Sequence, residues 1–232
     1  MTTPPDAAAL KRIAAERAAE AVEDRMVLGL GTGSTAALAV DAIGRRVRQG
    51  LDIVAIPTSE ATAAQAAALG IRLADFGDHR TIDLTIDGAD AVDRTGLHLI
   101  KGLGGALLRE KIVAAASKRM IVIVDDSKLT GAFGTRCPVP VETTRFGWQS
   151  TERLLTALGC ETRLRLGANG EPFVTDGGNF VIDCRFGAID DPEALAEEIK
   201  RLTGVVESGL FVGLATEVII AGAGGVEVLR RV

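Results

Sequence analysis

Apolar positions along the first half of the chain alternate between two rhythms. Leu10, Ile13, Ala14, Arg17, Ala18 and Ala21 recur at three- and four-residue steps, which predicts an amphipathic helix starting just after Pro4 and Pro5. MVLGLG then reads as a strand, followed by a helix from Ser34 with Val40, Ile43 and Val47 on one face. After these come a strand DIVAIPT, a helix from Ser59 stopped by Gly70 and a short strand IRLADF. Ile82, Leu84 and Ile86 alternate with polar residues in TIDLTID. HLIKG, the helix ALLREKIVAAASK and the strand MIVIVDD continue the series. Strands that alternate with helices imply a largely parallel sheet wrapped by helices, an α/β architecture.

From about Val139 the order changes. Strand VPVET, helix WQSTERLLTALG, strands ETRLRL and NFVIDCRF around a DGGN turn, helix DPEALAEEIKRL and strand VVESGLFV spell β-α-β-β-α-β, the split βαβ pattern. The closing TEVIIAGAG reads as another buried strand of the first kind, so the second module is inserted before the chain returns to the first sheet. This places one domain at residues 1–135 and 208–232 and the other at 136–207.

Composition narrows the chemistry. Of 232 residues 47% are hydrophobic and 25% charged, the balance of a globular protein. With 27 glycines and no Tyr, the core must be built from small aliphatic residues around tight turns. The formal charge of −5 argues against nucleic acid as a partner. Cys137, Cys160 and Cys184 form no CxxC pair and are odd in number, which predicts neither disulfide framework nor zinc site and fits a reducing cytoplasm. The opening MTTPPDAAALKR lacks the apolar core of a signal peptide, and no apolar run approaches the ~20 residues that span a bilayer. With only His79 and His98 available, a histidine metal site or a histidine-centred triad is disfavoured, so acid–base work falls to carboxylates and lysines.

Four segments could carry that work. Gly29-Leu30-Gly31-Thr32-Gly33-Ser34-Thr35 joins a strand to a helix, where backbone N–H groups and the hydroxyls of Thr32, Ser34 and Thr35 could receive a phosphate. The same residues also fit a tight turn with Ser34 as N-cap. The dinucleotide fingerprint is incomplete, because its last glycine would stand at 34. Asp87-Gly88-Ala89-Asp90 ends an apolar strand, where open parallel sheets place ligands; a turn followed by a helix-capping Asp90 is the alternative. In Lys101-Gly102-Leu103-Gly104-Gly105-Ala106-Leu107-Leu108-Arg109-Glu110-Lys111, helical spacing sets Glu110 on a face with Ala106, Leu107, Val113 and Ala114. Burial raises a carboxyl's pKa, which suits a base working near neutrality. The competing reading has Glu110 pairing with Arg109 or Lys111 at the surface, although sequence neighbours do not face each other on a helix. Lys128 follows MIVIVDDS at one more strand end.

Through GTGSTA at 31–36, DGAD at 87–90, KGxGGALLREK at 101–111 and DDSK at 125–128, the chain resembles the type A ribose-5-phosphate isomerase family along nearly its whole length. The resemblance implies a Rossmann-like domain with an inserted ferredoxin-like α+β domain. It also implies an aldose–ketose isomerase of the pentose phosphate pathway that works through an enediolate without cofactor or metal, as a homodimer or homotetramer with no nucleic-acid or membrane partner. By motif, Glu110 would be the base, Asp87 would assist ring opening, and Asp90 and Lys101 would position substrate and stabilise charge. Substrate would be held by Thr32, Gly33, Ser34, Thr35, Asp87, Gly88, Ala89, Asp90, Lys101, Gly102, Leu103, Gly104 and Lys128, with Lys11 near the phosphate. Leu103 stands where the family has another glycine, and the segment after GLF lacks an asparagine and an arginine common there. A sugar-phosphate sensor would need a DNA-binding module for which these residues leave no room. A coenzyme A transferase-like enzyme would share the glycine loops but act on thioesters, and a nicotinamide oxidoreductase would need the full fingerprint.

Overall fold

The computed structural model describes residues 6–231; the Pro4-Pro5 helix start and the MTTPP opening lie outside them. The described chain forms two compact units. One comprises the chain up to Ala89, Ile112–Lys128 and the chain from Leu214 on; the other comprises Asp90–Lys111 and Leu129–Gly213. Residues 90–111 therefore sort with the second unit.

In the first unit, seven strands form one sheet in the order Gly225–Arg230, Glu217–Gly222, Met120–Asp125, Leu84–Gly88, Val27–Leu30, Val54–Pro57 and Arg72–Leu73. Every neighbouring pair is parallel except the last hairpin, Glu217–Gly222 with Gly225–Arg230. The final antiparallel strand carries no clear sequence signal, because its residues GVEVLR are largely exposed at a sheet edge. Helices cover both faces. Ala55 packs with Leu10, Ala14, Ala18, Val40 and Ile43 of the helices Ala7–Ala19 and Ser34–Arg48, whereas Ile56, its neighbour on the strand, packs with Val113 of the helix Leu107–Ala115. Successive strand residues point to opposite faces, so these are two layers.

The first helix departs from its expected stripe. Its buried residues are Leu10, Ala14, Ala15, Ala18 and Ala19, while Ile13 is 41% exposed. The close approach to Ser34–Arg48 and the sheet selects alanines for the inner face and turns the bulkier isoleucine outward.

In the second unit, a four-stranded antiparallel sheet runs Glu161–Leu164, Phe180–Arg185, Val139–Thr143, Val205–Ser208. With the helices Trp148–Thr156 and Pro192–Arg201 in the crossovers, this is the ferredoxin-like arrangement. VVESGLFV is not one strand. Val205–Ser208 stays in that sheet, while Leu210–Phe211 joins a small second sheet with Leu99–Ile100, Ala91–Asp93 and Leu129–Thr130. All three cysteines are buried free thiols in this unit's core. Among the described residues no helix is long and apolar enough to cross a membrane.

Candidate active site

The first unit gathers one set of groups at the C-terminal rim of its parallel strands. Val27–Leu30, Leu84–Gly88 and Met120–Asp125 lie side by side in register, so the loops that follow them emerge together. Gly31 N–H donates to the Ile86 carbonyl at 3.0 Å, tying the first loop to the neighbouring strand. Asp87, 0% exposed, accepts from Thr32 N–H at 3.2 Å and from Gly88 N–H at 2.7 Å through Oδ1. A Cβ on Gly31 would sit 2.1 Å from that oxygen, so only glycine lets the loop approach the carboxylate this closely. Gly31→Ala is therefore expected to push Asp87 aside and to destabilise the protein by roughly 1–3 kcal/mol, the usual range for an overpacked interior. An unchanged Tm and unchanged kcat would contradict this.

Ser34 is not the N-cap. Gly33 caps the helix Ser34–Arg48 without a side-chain bond, and Ser34 Oγ instead accepts from Lys11 Nζ at 3.0 Å. An ammonium thus stands at the N-terminus of a 15-residue helix, where the backbone dipole already favours an anion. The Thr32 hydroxyl faces inward. It lies 2.7 Å from Thr58 Oγ1, 2.8 Å from Ser59 Oγ and 3.1 Å from Thr62 Oγ1, in a cluster that braces the loop. Thr58 and Thr62 in turn donate to the carbonyls of Leu30 and Gly31. This hydroxyl cluster was not singled out from the sequence, though Pro57-Thr58-Ser59 at a strand end was its visible sign. Lys128, half-buried, closes the short 3-10 turn Asp126–Lys128 after the strand Met120–Asp125.

The second unit holds the other set. Asp90 caps no helix, since the strand Ala91–Asp93 follows it; its Oδ2 accepts from Leu103 N–H at 2.9 Å. Lys101 is fixed through its backbone, whose N–H donates to Gly209 O at 2.9 Å, and the residue is only 2% exposed. Lys101 Nζ lies 3.2 Å from Glu110 Oε1 and 5.4 Å from the Phe211 ring centroid. Glu110 is 4% exposed, with Ala106, Leu107, Val113 and Ala114 of its helix face buried as expected. The surface pairing with Arg109 or Lys111 is thereby replaced by a buried pair with Lys101. A buried ion pair carries a desolvation cost that Coulomb attraction barely offsets, which makes it a candidate for function rather than stability.

Lys111 approaches the same Phe211 ring at 5.0 Å, and binds Glu207 Oε1 at 2.9 Å and Ser208 O at 2.7 Å. Burial pulls the Lys111 pKa down, against the pull of Glu207. Burial resists ionisation of Glu207, but Lys111, Lys200 and the Ser208 N–H together hold its carboxyl below the usual range. Phe211, fully buried with two ammonium groups near its ring, is a further residue that the sequence did not mark.

The structure thus brings Thr32, Gly33, Ser34, Thr35, Asp87, Gly88 and Lys128 to one rim of the first unit. In the second it brings Asp90, Lys101, the loop Gly102-Leu103-Gly104 and Glu110 together. Among the described residues no group of three or more His, Cys, Asp or Glu side chains could hold a metal ion.

A family model described as ribose 5-phosphate isomerase A (phosphoriboisomerase A) matches residues 54–225. The ribose-5-phosphate isomerase A of Gloeobacter violaceus is 59% identical over 95% of each chain. A solved D-ribose-5-phosphate isomerase in complex with phospho-erythronic acid superposes with a TM-score of 0.95 at 38% identity, covering 98% of this chain and 100% of that one. The ribose 5-phosphate isomerase of Plasmodium falciparum gives 0.92 at 41% identity over 97% and 99%.

Proposed function

The chain belongs to the ribose 5-phosphate isomerase A family, whose members interconvert ribose 5-phosphate and ribulose 5-phosphate, and from that premise we propose that Glu110 is the base that carries the proton between the two carbons. The observation that bears most weight is the buried Lys101–Glu110 pair at 3.2 Å. Glu110 removes the proton from C2 of the open-chain aldose, and the electron pair moves through the C1–C2 bond onto the carbonyl oxygen. Lys101 neutralises that developing oxyanion, the kind of preplaced charge a low-dielectric site needs. Protonated Glu110 then returns the proton to C1, while a hydroxyl proton shifts from O2 to O1 to complete the ketose. Asp87 assists ring opening by proton transfer at the ring and anomeric oxygens, and Asp90 orders the loop after Lys101 through Leu103 N–H.

The phosphate falls to Thr32, Gly33, Ser34 and Thr35, the helix N-terminus they open, and the ammonium groups of Lys11 and Lys128. A relative solved in complex with phospho-erythronic acid, a phosphorylated sugar acid, supports an anionic sugar-phosphate ligand of this kind. Gly88, Ala89, Gly102, Leu103 and Gly104 line the substrate with backbone. The reaction is proposed to need neither metal nor cofactor, in a homodimer or homotetramer. The free thiols support a reducing cytoplasm as its compartment.

EDTA-treated protein incubated with ribose 5-phosphate should accumulate the ketose at the untreated rate. Turnover lost to chelation and restored by a divalent metal would overturn the metal-free route. Lys128→Ala should raise KM roughly tenfold or more, the worth of one charge-assisted hydrogen bond, with a smaller change in kcat. Free ribose should be a very poor substrate, because remote binding energy helps to orient the reacting carbons. Equal efficiency on ribose and ribose 5-phosphate would remove the phosphate anchor from this scheme.

A further inference from the structure

The loop between Lys101 and the helix that carries Glu110 has almost nothing of its own to hold it. Three of its five residues are glycines, Gly102, Gly104 and Gly105; Leu103 is 41% exposed, and Ala106 leads into the helix Leu107–Ala115. Glycine backbone is the most mobile kind, so the shape of such a loop must be imposed from outside. Gly105 N–H donates to Gly102 O at 2.9 Å and closes the turn, but that bond alone anchors it to nothing else.

Asp90 Oδ2 holds one amide of the loop, Leu103 N–H, at 2.9 Å, and Arg165 holds its carbonyls. Arg165 follows the strand Glu161–Leu164, and its guanidinium uses all three nitrogens. Nε donates to Asp183 Oδ2 at 3.0 Å and Nη2 donates to Asp183 Oδ1, which locks the plane of the group. Nη1 is then aimed at the loop and donates to Gly102 O and Leu103 O, each at 2.9 Å. A cross-strand ion pair serving the sheet alone would have no need of those two carbonyls. Phe173 adds a second wall. Its N–H donates to Arg165 O at 2.9 Å, the Arg165 guanidinium lies 6.0 Å from its ring centroid, and a Cβ on Gly105 would sit 2.4 Å from its ring. Gly105 also has a φ of +86°, so no other residue would take that place without strain.

We infer that Arg165, oriented by Asp183, is a positioning residue for the isomerisation: it sets the shape of the 102–106 loop and thereby the spacing between Lys101, at the loop's start, and Glu110, on the helix the loop leads into. The inference rests on the reading of Lys101 and Glu110 as the reacting pair. It acts through those groups and touches no substrate. Only arginine offers a planar fork that binds a carboxylate on one edge and carbonyls on another; lysine, a point charge, can satisfy one or the other.

The test compares Arg165→Lys, Arg165→Ala and Glu110→Gln, with rates normalised to folded protein. Arg165→Lys keeps a cation for Asp183 and should keep its fold, while kcat falls roughly ten- to a hundredfold, as expected when reacting groups move by about an ångström. KM should change little, and exchange of the C2 proton with solvent deuterium should fall with kcat. Guanidinium ion, well below denaturing concentration, should restore part of the kcat of Arg165→Ala, whereas the same concentration of ammonium or sodium should not. A normal kcat in Arg165→Lys beside an inactive Glu110→Gln overturns the role of Arg165 alone. A folded Arg165→Ala with lowered kcat and no response to guanidinium does the same. Should Arg165→Ala not fold, Arg165→Lys decides by itself: lowered kcat at unchanged Tm supports the inference, and unchanged kcat overturns it. A normal kcat in Glu110→Gln overturns instead the reading of the base on which the inference rests.

Discussion

Glu110→Gln is expected to lower kcat by roughly a hundred- to ten-thousand-fold, the usual contribution of a positioned general base, with a much smaller change in KM. Gln keeps the length and shape of the side chain and can still accept a hydrogen bond from Lys101 Nζ, now 3.2 Å from Glu110 Oε1. It cannot accept a proton. Washout of the C2 proton into deuterium oxide should fall in parallel with turnover, because the same carboxylate carries that proton. The variant replaces a buried charge by a neutral amide beside a buried ammonium, so some loss of Tm is expected and should be measured separately. A folded Glu110→Gln protein with near-normal kcat and normal exchange would pass the role of base to Asp87, the fully buried carboxylate of the DGAD motif.

Lys101→Gln should cost kcat about a hundred- to a thousandfold, the scale on which removal of a preplaced oxyanion partner acts. The amide retains a donor for Glu110 but carries no charge to set against the enediolate oxygen. Because the proposed roles converge on one transition state, the losses should not add: Lys101→Gln in the Glu110→Gln background should lower kcat far less than it does alone. The pair is measured by steady-state kinetics on all four proteins. Full additivity would mean that the ammonium and the carboxylate act on separate steps, and a near-normal kcat in Lys101→Gln would assign the oxyanion to another donor.

How much of this was legible beforehand differs from residue to residue. Period-two and period-3.6 patterns mark the parallel strands and helices because each element buries one face, and the glycine runs mark the turns that follow the strands. Glu110 could be named as buried from helical spacing alone, since Ala106, Leu107, Val113 and Ala114 define a face that leaves little room for solvent. Local grounds also offer Asp90 and Ser34 an alternative use as helix caps, and that alternative gives way to longer-range bonds, Asp90 to Leu103 N–H and Ser34 to Lys11 Nζ. Local side-chain chemistry offers the same oxygen several uses, and a partner more than ten residues away decides between them.

The sequence by itself determined the α/β class, the split βαβ insertion, the four motifs and the family they resemble, because periodicity and motif spacing are properties of nearby residues. Tertiary structure alone decided which partner each charged or hydroxyl group meets. Lys101 meets Glu110; Thr32 turns into a cluster with Thr58, Ser59 and Thr62; two lysine ammonium groups approach the Phe211 ring; Arg165 reaches back 63 residues to the Gly102 carbonyl. Each of these contacts requires the chain to be folded onto itself over a separation that no local pattern encodes, and they rest on distances of a few ångströms that only the packed backbone sets.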